Sequence, residues 1–435
     1  MRIPKRIAIV GMVCVALVAM IAAAFVALTN HGAQAAAGGP KPISDSQMSA
    51  RFKVEAGATV LPTTRTVAHW FGQTTDPNNG VTYGYNMVGA DPNHCTGAAC
   101  DVTVEVDITP IIVHVAGATY SGNDVLAATL ASPQFANNDY GSTPNATDAS
   151  GGKGPGGALS QNDAGQNLQL EDATMRAQFN KTGASTYHVR LHPNVKPAVT
   201  FDVPQNQGTL LVSGRGVVFG DVDIGWWSSQ IHNLETNADP THLPLYLTNS
   251  VMLYDGNNPL NCCIIGYHGT KATGSGNGSA NSNGNAAVQT FAWASFIQPG
   301  IFRPSTGWAL QDIHALSHEI AEWGDDPFVN NFVEPWLTPT APQYGCTGIL
   351  ETGDPVVGIG FSMGTNTYAQ GPAPNGQQIA DGTYHPEDEV FLPWFMRLPS
   401  NGTGSEPNQI SAGGRYTLMG DLNPYPGFRA PATGC

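Results

Sequence analysis

His318, Glu319 and Glu322, in the run Ser317-His318-Glu319-Ile320-Ala321-Glu322-Trp323, are the residues whose spacing best suits chemistry. On a helix, positions i and i+4 lie one above the other on the same face, so His318 and Glu322 can reach one ion together. Glu319 projects about 100° away. There it is placed to serve as a general base toward a water activated by the metal, rather than as a ligand. The pattern is the His-Glu-x-x-His helix of zinc hydrolases with glutamate in place of the second histidine.

Two ligands on one helix need a third from elsewhere. Leu350-Glu351-Thr352-Gly353-Asp354-Pro355 supplies two carboxylates, 29 and 32 residues after Glu322. A turn at Gly353 would let the backbone bring Glu351 or Asp354 close. His314, one turn before His318, reads as orienting a ligand rather than binding the ion, with direct ligation as the alternative. His385, in Tyr384-His385-Pro386-Glu387-Asp388-Glu389, could return over the cleft to stabilise an oxyanion, or sit in an acidic surface loop. His268 and the pair Trp226-Trp227 read as a satisfied core histidine and buried aromatics.

The elements that must position these groups are legible in part. The motif helix is expected to start near Ser305-Thr306 and to end at Trp323, with Gly324 as a left-handed cap and Pro327 barring continuation. Leu310, Ile313, Leu316, Ile320, Ala321 and Trp323 form its core face, beside a stripe of His314, His318 and Glu322. Val102–His114 alternates and is β-branched, a strand with an edge or bulge at Pro110. Leu168–Phe179 has helical spacing. Val199–Val203, Thr209–Val212, Val217–Val222, Pro244–Tyr254 and Ala286–Phe296 have strand composition. Gly/Ser/Asn-rich stretches near 141–166 and 269–287 read as insertions. The fold class is α+β, a mixed β-sheet with one metal-site helix and long polar loops.

The string Ser317-His318-Glu319-Ile320-Ala321-Glu322, then Asp326-Pro327, then Glu351-x-Gly353-Asp354, resembles bacterial secreted zincin-like proteins of the His-Glu-x-x-Glu type. These are distantly similar to the phosphate-induced, exordium-like family of plant extracellular proteins. Leu243–Gly269 also resembles the strand and Cys/Gly/His segment that precedes the helix in such proteins. The resemblance covers about 243–395 and implies a zincin-like α+β fold and a metal-dependent hydrolase. Glu322 departs from the protease consensus.

The rest of the chain bounds the context. Arg2, Lys5 and Arg6 precede an apolar run from Ile7 to Leu28, and Ala33-Gln34-Ala35 offers a cleavage site. This is a secretory signal over 1–35, with an uncleaved membrane anchor as the alternative. Without it the chain carries 15 Lys and Arg against 33 Asp and Glu, a net charge of −18, which argues against nucleic acid as a partner. Residues 36–100 form an N-terminal extension, and 101–435 the zincin-like domain. Cys95 and Cys100 should close a small disulfide loop; Cys262 and Cys263 pair with Cys346 and Cys435, or with each other.

The leading functional expectation is a secreted, peptidase-like hydrolase acting on an extracellular peptide or polymer. Its divalent metal, zinc first, is held by His318, Glu322 and one of Glu351 or Asp354, with Glu319 as base. Two carboxylates with one imidazole also make a harder ion such as Mn²⁺ or Ca²⁺ more competitive. The alternative is a non-catalytic extracellular protein with a structural ion or a vestigial site. A glycan-active enzyme using Glu319 and Glu351, with Trp226-Trp227 as a sugar platform, is the third.

Overall fold

The structure is a computed structural model. It describes residues 39–48, 50–54, 57–58, 60, 64–140, 166–273, 287–302, 310–337, 346–368, 381–398, 411–414 and 416–419. The signal segment, Ser305-Thr306, Cys435 and the Gly-rich stretches 141–165 and 274–286 lie outside them. No helix among the described residues is long and apolar enough to cross a membrane.

The elements in chain order are β1 (Lys41–Pro42), β2 (Arg51–Val54), β3 (His69–Thr75), β4 (Thr82–Val88), β5 (Asp101–Val115), β6 (Ala118–Ser121), α1 (Asn123–Ala131), β7 (Asn138–Asp139) and β8 (Asn167–Leu168). Then come α2 (Leu170–Gln178), β9 (His188–Val195), β10 (Val199–Asp202), β11 (Gly208–Val212), β12 (Val218–Asp223), α3 (Ile224–Leu234), β13 (Leu243–Asn249) and β14 (Val251–Tyr254). The chain continues through β15 (Ile264–Thr273), β16 (Ala287–Phe296), α4 (His314–Asp325), β17 (Phe332–Leu337), β18 (Cys346–Ile349) and α5 (Leu392–Phe395).

Among the described residues, twelve strands make one mixed sheet, so the class is α+β as expected. Its main path is β1-β11-β12-β14-β15-β16-β13-β5-β10, with β2 on β15 and β6 and β9 on β5. The segment 36–100 is therefore woven into this sheet through β1 and β2, while β3 and β4 form a separate hairpin.

Period-two alternation gives the sheet two apolar faces. On β16, Ala292 and Ala294 join one core with Ile313, Leu316, Ile320 and Trp323 of the α4 region, and Ile265 joins them where the register of β15 shifts. Tyr267, Phe291 and Trp293 join the other with Trp227 and Ile231 of α3. The sheet thus lies between α4 and α3. Trp226-Trp227 belongs to the α3 side, where Trp227 is buried on Phe201 and Trp293 and Trp226 is half-buried, so the reading as buried aromatics holds for Trp227 alone.

Several local expectations need correction. Pro110 is neither an edge nor a bulge. It lies in the long strand β5 where partners change, from β9 and β13 before it to β10 and β6 after it. A residue without an N–H suits that junction. The run Pro244–Tyr254 splits into β13 and β14 at Ser250, whose φ is +53°. Residues 269–273 belong to β15, paired with β16 as far as Thr273 and Ala287, so the insertion begins later than expected. The expected Cys95–Cys100 disulfide is present, and of the two arrangements open to Cys262 and Cys263 they adopt the bond to each other.

Candidate metal centre

The helix α4 is fixed at both ends by polar side chains. It begins at His314, later than expected from Ser305-Thr306, because its start is organised by Asp312. That residue exchanges backbone hydrogen bonds with Ile297, at the end of β16. Its Oδ1 accepts the Ile313 N–H at 2.6 Å and the His385 N–H at 2.8 Å. At the far end the helix runs to Asp325, past Trp323. Gly324 lies inside it rather than capping it. Its lack of a side chain serves close packing instead: a Cβ there would meet the Glu171 carboxylate of α2. Every residue of α4 is buried, so no face is left to solvent.

His318 is clamped from three sides. Its Nδ1 pairs with Glu387 Oε2 at 2.6 Å. Phe52 of β2 stacks on the ring, centroids 3.2 Å apart and planes 10° from parallel. Gly353 closes the third side, since a Cβ there would collide with the ring. Gly353 is in ordinary right-handed conformation (φ −85°), so it is needed for this approach and not for a special turn. Ser317 supports the arrangement by accepting the Glu387 N–H at 2.9 Å.

The clamp leaves His318 Nε2 directed at Glu322 Oε1, 3.1 Å away, and Asp354 Oδ1, 3.9 Å away. Nε2 nevertheless makes no hydrogen bond. Backbone N–H groups of Gly353 and Asp354 each donate to Glu322 Oε1 at 3.2 Å, which fixes that carboxylate. His318, Glu322 and Asp354 offer ligand atoms all within 4.8 Å of one another. A histidine with one nitrogen hydrogen-bonded to a carboxylate and the other facing two more carboxylates without a hydrogen bond fits a divalent ion. Buried His318 and Glu322 together with half-buried Asp354 could hold a metal ion.

His268 of β15 joins the same site from the sheet. It is fully buried, and its Nδ1 lies 3.4 Å from Glu319 Oε2 and 3.6 Å from Glu322 Oε2. Glu351 Oε2 lies 3.9 Å from its other nitrogen. Glu351 and Asp354 therefore both reach the centre, but each beside a different histidine. Gly266, on the same strand face as His268, makes room for Glu319, whose carboxylate a Cβ would strike. His268 was not recognised as a site residue from sequence; the alternation Gly266-x-His268, a small residue and an imidazole sharing one face, was the available signal.

The other expected residues fall around this centre. His314 Nε2 lies 3.4 Å from Glu387 Oε1, so it reaches His318 only through that carboxylate. His385 is buried, not in a surface loop. Its Nδ1 pairs with Asp312 at 2.7 Å and its Nε2 lies 3.5 Å from Asp381, away from an oxyanion-binding role. Glu387 and Phe52 were missed, because each comes from a segment remote in sequence.

Burial and charge set the protonation of the site. Burial lifts Glu319 to about 7, although the His268 hydrogen bond and the His318 charge pull the other way. Asp354 is raised by partial burial and then by the Glu322 charge. Glu351 is raised well above the usual carboxylate range by burial and Glu322. Glu322 is held low: burial would raise it, but His318 and His268 outweigh that. The same carboxylates hold His268 at about 10 against the effect of burial. Among these groups Asp354, with 29 % of its side chain exposed, marks the side open to solvent.

Comparison of the chain with protein-family models, curated proteins and solved structures finds no match.

Proposed function

We propose that this protein is a secreted, metal-dependent hydrolase acting on a peptide-like bond, with the ion held by His318, Glu322 and Asp354. The observation that carries the reading is His318 itself. Its ring is immobilised by Glu387 and Phe52, with Nε2 facing two carboxylates and making no hydrogen bond. A divalent ion there, zinc first, would polarise a scissile carbonyl and acidify a water. Glu319 Oε1, buried and without a hydrogen-bond partner, accepts the proton of the attacking water and passes it to the leaving group. A carboxylate at about 7 is suited to both steps near neutrality. His268 holds Glu319 in place through Oε2. Asp354 is the ligand candidate whose side chain is partly exposed. The secretory reading of residues 1–35 and the His-Glu-x-x-Glu resemblance support an extracellular peptide or polymer as substrate.

A structural ion in a non-catalytic extracellular protein is the competing reading, favoured by the complete burial of His318, Glu319 and Glu351. Glu319 separates the two, since a structural site has no use for a base. The chelator-treated chain should take up one tightly held equivalent of zinc, and His318→Ala should lose it. Glu319→Gln should keep that equivalent while turnover of an unstructured protein substrate drops by about 10²- to 10⁴-fold. Absence of any bound metal would sink the reading, and zinc binding without turnover would leave only the structural one.

A further inference from the structure

Glu322 faces two histidines, not one. Its Oε1 is turned to His318 and to the N–H groups of Gly353 and Asp354, and its Oε2 is turned to His268. His268 Nδ1, Glu319 and Glu322 offer a second set of ligand atoms within 4.8 Å of one another, and all three residues are buried. The two sets share only Glu322.

The two histidines are placed alike but not held alike. Each turns one nitrogen toward Glu322 and the other toward an outer carboxylate, hydrogen-bonded at 2.6 Å for His318 and Glu387 but 3.9 Å away for His268 and Glu351. His268 Nε2, both oxygens of Glu351 and Glu319 Oε1 are all buried without hydrogen-bond partners. A carboxylate with an oxygen toward each of two sites can bridge two ions, which in paired sites lie about 3.5–4 Å apart.

We infer that His268, Glu319 and Glu322 form a second divalent-cation subsite, bridged to the first through Glu322, and that its filling inhibits the protein by engaging Glu319. The inference rests on the hydrolase reading only for its inhibitory consequence; the second subsite stands on geometry alone. One ion leaves the Glu319 carboxylate available as a base. Two ions tie its Oε2 to the second, and a ligated carboxylate is a poorer proton acceptor. The ligand set of one imidazole and two carboxylates is the same in both subsites and suits Zn²⁺ or Mn²⁺.

The test is a metal titration of the chelator-stripped full chain. Zinc should bind in two steps, and His268→Gln should retain only the first. Mn²⁺ loaded to two equivalents should give the electron paramagnetic resonance spectrum of a spin-coupled pair, and in His268→Gln that of an isolated ion. Turnover should peak at one equivalent of zinc and fall at least fivefold at two. One equivalent only in the wild type, or two uncoupled Mn²⁺ ions, overturns the second subsite and leaves the hydrolase reading intact. A coupled pair with no turnover at any loading supports the subsite and overturns the hydrolase reading. If His268→Gln does not fold, the coupling measured in the wild type still decides.

Discussion

A single residue, Glu322, sets the character of the site. A histidine there would offer one free ring nitrogen and no charge. A carboxylate offers two oxygens and a negative charge, and the chain uses both: one oxygen is fixed by two backbone N–H groups, the other is turned to the sheet. The consequence falls on Gly353. To donate to Glu322, its backbone must pass directly over the His318 ring, and only a residue without a Cβ can do so. Gly353→Ala must displace either the ring, held between Phe52 and Glu387, or the N–H groups that fix Glu322. Zinc affinity should fall by about 10- to 100-fold, the range found when the support of a metal ligand is lost. Competition with a chromophoric chelator measures it, with circular dichroism as the check on folding. Unchanged affinity in a folded variant would mean that His318 is not a ligand.

At the scale of elements, α4 is a helix buried on every side, so the polar groups at its ends must be satisfied by protein. Asn331 does this at the exit. Its Nδ2 donates to the carbonyls of Asp325, at 2.6 Å, and Asn86, at 2.7 Å, while its Oδ1 accepts the Asn86 N–H at 2.8 Å. One side chain thus ties the end of α4 to strand β4. Asn331→Ala removes one buried and two part-buried hydrogen bonds and leaves their backbone partners unsatisfied, which should lower stability by about 2–4 kcal/mol. Urea unfolding would show it as a lower midpoint; a loss under about 1 kcal/mol would show that the exit is held otherwise. Such ties explain what was legible in the sequence. The helix itself, the strands and the trio His318, Glu319 and Glu322 follow from local spacing, because i and i+4 share a face whatever surrounds them. The helix start did not, because Asp312 organises it through Ile297 and His385 rather than as a Ser or Thr cap. His268 and Glu387 did not either, lying 51 residues before Glu319 and 69 after His318. Only the sheet register and the packing of the 384–390 segment bring them in. The stripe of His314, His318 and Glu322 read beside the core face of α4 is buried as well, covered by Glu387 on the two histidines and by the Gly353-Asp354 backbone on Glu322.

The whole molecule is acidic, and part of that acid is inside. Besides the metal centre, carboxylates crowd the junction of α2, α4 and the 388–389 segment. Burial lifts Asp325 and Asp388 each to about 7. It also lifts Glu171 and Glu389 well above the usual range, helped by their mutual proximity to other acids. Unfolded, these groups ionise near 4. Between pH 4 and pH 7 the folded chain therefore keeps protons that the unfolded chain has released, so stability falls as pH rises. The slope is at most about 1.4 kcal/mol per pH unit for each group. His385 acts in the same direction. Burial opposes its charge, but Asp312 and Asp381 hold it at about 9. Its contribution is complete below about 6.5 and is lost as pH rises through 9. Glu387 and Asp381, held low despite burial, lose their contribution only as pH falls below the normal carboxylate range. The metal-free protein should thus be most stable near pH 4. In the presence of chelator its melting temperature should decline from pH 5 to pH 9, as differential scanning fluorimetry would record. Asp325→Asn keeps an oxygen to accept from Gln178, whose Nε2 lies 2.6 Å from Asp325 Oδ1, and removes the ionisable proton. That variant should flatten the decline between pH 5 and pH 7 and melt higher than the wild type at pH 8. A melting temperature that is level or rising from pH 5 to pH 8 in the wild type would show that the buried acids ionise without penalty.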